Sequence, residues 1–304
     1  MGPAPLFLNP GNLKSINKVA ILGGGLLGGS LALRLEGRAR YSLWARREAS
    51  VAEAHGLGIV GATASLSEAV AEADLVVLSV PVGAMPGLLE QAVAAGLPAS
   101  ALVTDVGSVK RVVHQSMKAV IEHAGLRFIG GHPMAGSESR GVTAARADLF
   151  DGAACLLTDD EQVGECWTRA LENFWVDVGC RVRWMNSEDH DALVARISHF
   201  PHVMAAATAD VALVNPADAR YGGGGLRDTT RVAGGDAAMW AEILLENRGA
   251  VASSLRAVVG SLGDVLAMLE KGDHEALLAW LEDTQGRYLL ARAAKQDEAS
   301  RSHE

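Results

Sequence analysis

A chain of 304 residues is long enough for two domains and a sizeable core. Its 49% hydrophobic and 21% charged residues are ordinary globular usage, and aromatics at only 5% leave the core to aliphatic side chains. With 27 basic against 36 acidic residues the net charge is −9, which argues against a general nucleic-acid binder. A few buried cations could still hold an anionic small molecule.

In chain order, residues 1–16 have no charged stretch leading into a long apolar core, so a short tail is expected rather than a signal peptide. Lys18–Leu22 reads as a buried strand, followed by glycines and a helix from Leu26 to about Glu36. Further strand runs are Tyr41–Trp44, Asp74–Val80, Ala101–Thr104, Arg127–Ile129 and Ala154–Thr158. Strands separated by single helices imply right-handed crossovers and a mostly parallel, doubly wound α/β domain, expected over residues 17–186. It ends near Arg181–Met185.

From Ser187 the periodicity turns helical, over Asp189–Val214, Ala237–Met268 and His274–Lys295, and predicts an all-helical domain over residues 187–295. Tyr221-Gly222-Gly223-Gly224-Gly225 is expected as a loop with close backbone approach, and the polar residues 296–304 as a frayed tail. No apolar run free of charge or glycine reaches membrane-spanning length, so no membrane partner is expected. Cys155, Cys166 and Cys180 form no CxxC pair, so neither a disulfide framework nor a zinc site is indicated. A reducing cytoplasm is the simple reading.

Gly23-Gly24-Gly25-Leu26-Leu27-Gly28 follows a strand and opens a helix, the context in which a glycine fingerprint binds a dinucleotide. Gly23 permits the turn, Gly25 lets a pyrophosphate approach the backbone, and Gly28 lets helix and strand pack closely. The helix N-terminus offers free N–H groups to the anion. An NAD site places an acid at the end of the second strand, about 20 residues on. Here Ala45 stands there, followed by Arg46 and Arg47, whose guanidinium groups suit a 2′-phosphate. NADP is therefore the expected cofactor, with NAD the alternative. Ser79-Val80-Pro81 should line the nicotinamide ribose.

His132 sits in a Gly/Pro-bounded run, Gly130 to Ser139, near the strand ends where ligands of such sheets bind. A histidine of near-neutral pKa suits removal of a hydroxyl proton, but spacing alone leaves a loop-capping role equally open. His199 and His202, three residues apart, could share a helix face; with no cysteine or second acid to complete a set, no metal is expected.

Taken in order, GGGLLG, DVGSVK, GGHPMAGSESRG, ISHFPH and GGGGLRDTTRVA, with Met239-Trp240 beyond, resemble the prephenate/arogenate dehydrogenase family from about Asn17 to Leu290. The resemblance implies a Rossmann-type domain joined to a helical dimerisation domain, hence a homodimer. It implies oxidative decarboxylation of a cyclohexadienol in tyrosine biosynthesis, with His132 as base and Ser108 holding the hydroxyl in register. Arg231 would bind a substrate carboxylate and His202 would orient the substrate. Glu138, Asp228 and Trp240 match pocket-edge positions, Gly224 would bring backbone close to the ligand, and Ser137 fits the pattern. Two other readings are a β-hydroxyacid-type dehydrogenase, which uses a helical lysine that residues 189–214 lack, and a non-catalytic NADP(H) sensor.

Overall fold

The computed structural model describes residues 15–137 and 139–301. Eight strands carry the first part of the chain: β1 Lys18–Leu22, β2 Arg40–Trp44, β3 Ala62–Thr63, β4 Leu75–Leu78, β5 Leu102–Asp105, β6 Arg127–Pro133, β7 Ala154–Thr158 and β8 Arg181–Met185. They form one sheet in the order β3-β2-β1-β4-β5-β6-β7-β8. Every pairing is parallel except β6 with β7. The helices between them are α1 Leu26–Leu35, α2 Glu48–Gly56, α3 Leu66–Val70, α4 Met85–Ala94, α5 Arg111–Ala124 and α6 Glu165–Val178.

Parallel strands buried on both faces read as continuous apolar runs, and β1 and β4 do so. Ile21, Leu43, Val77 and Leu157 pack with Leu31 of α1 and Phe174 and Trp175 of α6. On the other face Leu22, Val76, Val103 and Phe128 pack with Leu89 of α4 and Val113 and Met117 of α5. Ile16, expected in the tail, is 4% exposed and belongs to the first of these clusters; residues 1–14 of that tail lie outside the described residues. The order reverses between β1 and β4, which opens a crevice at their carboxyl ends.

Downstream come α7 Ser187–Val194, α8 Phe200–Ala212, α9 Gly224–Thr230, α10 Ala237–Glu246, α11 Arg248–Lys271 and α12 His274–Arg301. The continuous helix expected over Asp189–Val214 is interrupted by a π-turn at Ala195–His199. Pro201 has no N–H for the carbonyl four residues back and its ring would crowd it, and a wider turn relieves both. The helix expected over Ala237–Met268 breaks at Asn247, whose side chain is buried in polar contacts described below. The glycine run expected as a loop contributes only part of one, because Gly224 already opens α9. Where a frayed tail was expected from Gln296, α12 continues to Arg301.

By compactness the chain divides after Val251, and within the first unit α7 and α10 bond to the sheet end. In the second unit, α11 presents Val259, Leu262, Leu266 and Leu269 to the outside of the single chain, and α12 presents Leu278, Leu281 and Leu289. Although Arg256 and Asp264 interrupt it, α11 is a single helix of 24 residues, apolar and long enough by length and composition to cross a membrane. Arg256 and Asp264 break the apolar run in the sequence but not the helix, which is why no such span was expected. Length and composition alone do not separate a membrane span from a helix covered by another protein surface.

Candidate active site

The turn between β1 and α1 has the space and the strain its glycines suggest. Gly23 has φ +133°, and a Cβ there would lie 2.1 Å from the Ser79 carbonyl oxygen. A Cβ on Gly28 would lie 2.0 Å from the Gly23 carbonyl oxygen, so α1 meets β1 without any side chain between them. Gly25 is different: a Cβ there meets nothing within 4 Å, and it is the N-cap of α1, followed by Leu26 and Leu27. The open space and the free N–H groups fall at one point, which fits the diphosphate of a dinucleotide. Ser79 and Val80 follow β4 beside this turn, half-buried, with Pro81 exposed after them. Ala45 is buried at the end of β2, where a ribose-binding acid would stand, and Arg46 and Arg47 beyond it are exposed. Arg47 donates to Ser50 Oγ at 3.2 Å.

His132 does not lie in a loop. It is the sixth residue of β6, paired with Leu156 of β7 and only 8% exposed, so the strand and not a capping role fixes it. Its Nδ1 is 2.9 Å from Nε2 of His190 on α7. His190 Nδ1 in turn is 2.8 Å from Asp191 Oδ1. The Asp191 carboxylate also accepts from the main-chain N–H groups of Lys110 (2.8 Å) and Arg111 (3.0 Å) at the start of α5. Beneath lies a second anchor, the fully buried ion pair of Lys110 Nζ with Asp105. Asp105 also accepts from Gly107 N at 2.8 Å and Gly131 N at 3.0 Å, so the buried carboxylate is well satisfied. Ser108 lies half-buried on the segment between these two residues.

The helical wall brings in more imidazoles. His199 and His202 are both buried, at 1% and 7% exposure, on either side of the π-turn's end. His202 stacks on Trp240 of α10, rings 3.6 Å apart and 9° from parallel. A Cβ on Gly235 would meet Trp240 Nε1 at 2.6 Å, so that stack depends on a glycine at the preceding turn. Asn247 Nδ2 donates to the Asp191 carbonyl at 2.8 Å and lies 3.1 Å from His199 Nδ1. Among the described residues His199 Nε2 and His202 Nδ1 are buried polar atoms without a protein partner. Such atoms invite a polar ligand. Ties from this wall to the first part of the chain include Gly83 N, which donates to Glu242 Oε1 at 3.1 Å, and Arg140, which pairs with Asp236, the N-cap of α10.

Burial governs the charge states. It pulls His132 well below its ordinary pKa, helped by the nearby His190, Lys110 and His199. His190 is lowered by burial, with Asp191 pulling the other way, and burial takes His199 to about 4 and lowers His202. Burial alone would raise Asp191, but hydrogen bonds from His190, Lys110 and Arg111 outweigh it and hold the carboxyl low. Glu246 goes the other way, to about 7, through burial and the neighbouring Glu242.

The expected substrate residues do not all gather here. Arg231 is exposed in the turn Arg231–Gly234, which packs on α8. Gly224 and Asp228 are exposed on α9, with Asp228 held by Arg227 at 3.2 Å. Ser137 is exposed and bonds within its own turn to Ser139, and Glu138 lies outside the described residues. Conversely, His190, Asp191 and Asn247 hold buried polar contacts for which the local sequence carries no signal, and Glu246 buries an oxygen without a protein partner. Glu188-Asp189-His190-Asp191 reads as an acidic first turn of a helix, and only the fold turns two of its residues inward.

A doubly wound sheet with a glycine turn at the helix N-terminus, and a buried histidine at the same strand ends, defines a nicotinamide-dependent dehydrogenase. The family profile described as prephenate dehydrogenase, nucleotide-binding domain, matches residues 30–184, and that described as prephenate dehydrogenase, dimerization domain, matches residues 186–283. Prephenate dehydrogenase of Bacillus subtilis is 32% identical over 87% of this chain and 73% of its own. The structure of prephenate dehydrogenase from A. aeolicus in complex with hydroxyphenyl propionate and NAD+ superposes with a TM-score of 0.82. It is 30% identical and covers 91% of this chain and 99% of that one. Synechocystis arogenate dehydrogenase gives 0.76 at 28% identity, covering 89% and 98%. The chain belongs to the prephenate dehydrogenase family.

Proposed function

We propose that the protein oxidatively decarboxylates prephenate to 4-hydroxyphenylpyruvate, or L-arogenate to L-tyrosine, in tyrosine biosynthesis, with NAD(P)+ as hydride acceptor. The observation that carries this reading is His132, buried at the carboxyl edge of the sheet that also bears the Gly25 opening. A nicotinamide held at this turn would supply the acceptor for hydride from the ring carbon that bears the hydroxyl. His132 takes the hydroxyl proton on Nε2, since Nδ1 is engaged by His190. The ring carboxylate leaves as CO2, its bonding electrons completing the aromatic ring, so the protein mainly positions reactants and stabilises charge.

Ser108 holds the hydroxyl beside the imidazole, Arg231 binds a substrate carboxylate, and His202 orients the ring against Trp240. Asp228 and Trp240 act at the pocket edge, where the family pattern also puts position 138, Gly224 brings backbone close to the ligand, and Ser137 fits the same pattern. The family description of a dimerization domain and the apolar row Val259, Leu262, Leu266 and Leu269 support a homodimer through that part. A cytoplasmic, metal-free enzyme is in keeping with this chemistry. The buried Ala45 followed by Arg46 and Arg47 supports NADP over NAD. Arg46→Ala with Arg47→Ala should then raise the KM for NADP+ while leaving that for NAD+ near its native value.

Initial rates for prephenate and arogenate, each with NADP+ and NAD+, test the proposal directly. Turnover in any of the four supports it and names substrate and cofactor; silence in all four from folded protein that binds NADPH favours a sensor. Arg231→Ala should raise KM far more than His132→Ala does, and a His132 variant with native kcat would remove His132 as base.

A further inference from the structure

We propose that His190 and Asp191 are positioning residues that fix the tautomer of His132, leaving its Nε2 lone pair free for the substrate. The proposal rests on His132 being the base, and it concerns how the fold makes it one.

The argument starts at Asp191 and runs inward. An ionised carboxylate only accepts hydrogen bonds. Asp191 is held in that form by the N–H groups of Lys110 and Arg111 at the N-terminus of α5, where the helix dipole also favours an anion. The contact at 2.8 Å therefore requires a proton on His190 Nδ1. A neutral imidazole carries one proton, so His190 Nε2 is an acceptor. It faces His132 Nδ1 at 2.9 Å, and two lone pairs cannot share that distance, so His132 Nδ1 donates. His132 then has its lone pair on Nε2.

The same chain meets the charge that catalysis creates. As the substrate O–H bond breaks, an N–H bond forms at His132 Nε2 and the ring becomes an imidazolium. Its Nδ1–H remains bonded to His190 Nε2, whose own proton remains on the bond to Asp191. The positive ring is thus matched by an anion one imidazole away, with no second proton transfer required. The pair is itself braced, since Asn247 Nδ2 donates to the Asp191 carbonyl at 2.8 Å. Charged groups facing the pair are Lys110 and Asp105 from the sheet side and Glu246 from α10. Lys110 opposes a positive charge on His132, which makes the matching anion more consequential.

The test compares His132→Gln, Asp191→Asn, His190→Leu and His190→Gln for kcat, KM and NADPH binding. Imidazole 15N NMR reads the His132 tautomer in native protein and in each folded variant that retains His132. The native ring should be protonated at Nδ1 and bare at Nε2. Asp191→Asn and His190→Leu should lower kcat by about 10²–10⁴-fold, the range for loss of a positioned base, with NADPH affinity kept and the tautomer mixed or reversed. His190→Gln, whose amide oxygen can still accept from His132 Nδ1, should recover at least tenfold of the His190→Leu loss. Full kcat in His132→Gln would overturn the base reading itself. Loss in His132→Gln with near-native kcat in Asp191→Asn and His190→Leu would overturn the positioning role alone. A native His132 bare at Nδ1 would do the same, even if every variant failed to fold.

Discussion

The two glycines that flank the start of α1 should fail in opposite ways when each receives a methyl group. In Gly28→Ala the new carbon would lie 2.0 Å from the main-chain oxygen of Gly23, which no side-chain rotation can relieve. Overpacking of this kind costs typically 1–3 kcal/mol, and an unyielding backbone neighbour puts this site at the upper end, about 3 kcal/mol. At roughly 2–4 °C per kcal/mol for a chain of this size class, Tm should fall by about 6–12 °C. In Gly25→Ala the carbon enters open space, with extended backbone at an N-cap, and the stability cost should be on the order of 1 kcal/mol or less. The same carbon would stand in the approach of the diphosphate. A steric cost of at least about 1.4 kcal/mol there weakens cofactor binding at least tenfold. Thermal unfolding and fluorescence titration with NADPH and NADH separate the two effects. A Gly25→Ala protein that binds both cofactors as tightly as native would refute the assignment of this turn, and a Gly28→Ala protein with native Tm would refute the packing argument.

The buried histidines make stability depend on acid. Below about pH 6.5 the unfolded chain binds protons that folded His132, His190, His199 and His202 resist, so stability should fall from there downward, through about 4 for His199. Urea midpoints at pH 7.5, 6 and 5 should decline in that order; equal midpoints would count against four buried neutral imidazoles. Glu246 has the opposite sign: its folded pKa of about 7 means stability is lost as pH rises through neutrality. Glu246→Gln should accordingly raise Tm at pH 8 and leave it nearly unchanged below pH 4.5, and a uniform shift would disprove the link to ionisation. Lys110→Met would leave the buried Asp105 side chain without its cation, at a cost of about 3–5 kcal/mol by chemical denaturation. A loss under about 1 kcal/mol would mean that the main-chain donors of Gly107 and Gly131 suffice.

Most of the fold is visible in local pattern. The apolar runs at Lys18–Leu22 and Leu75–Leu78 and the glycine turn after the first are strong short-range signals, and each lies where it was expected. The two residues of β3 were not, because so short an edge strand has no periodicity of its own. The helix boundaries at Ala195–His199 and Asn247 also escaped, since both arise from tertiary contacts and a proline's missing donor rather than from hydrophobic spacing. For the same reason His132 was expected in a loop: glycine and proline around it are turn residues by habit, yet here Gly130 and Gly131 let Lys110 and Asp105 press against a strand. The contacts of His190 and Asp191 span 58 and 81 residues of sequence. No window of local sequence contains both ends of such a bond.

The brief link between β8 and α7 sets a limit on how such a chain can change length. Met185 ends the strand, Asn186 caps the helix by accepting from Asp189 N at 2.7 Å, and Ser187 N is pinned to Asp160 at 3.0 Å. Each residue of an α-helix advances its rotational phase by about 100°. One residue gained or lost between Ser187 and His190 would swing the imidazole away from β6 and leave Asp191 off the start of α5. The exposed stretch of residues 215–223 carries no comparable phase requirement. Insertions and deletions should therefore accumulate there and be purged from the four residues that follow Met185, so length variation itself becomes a record of where the angular register matters.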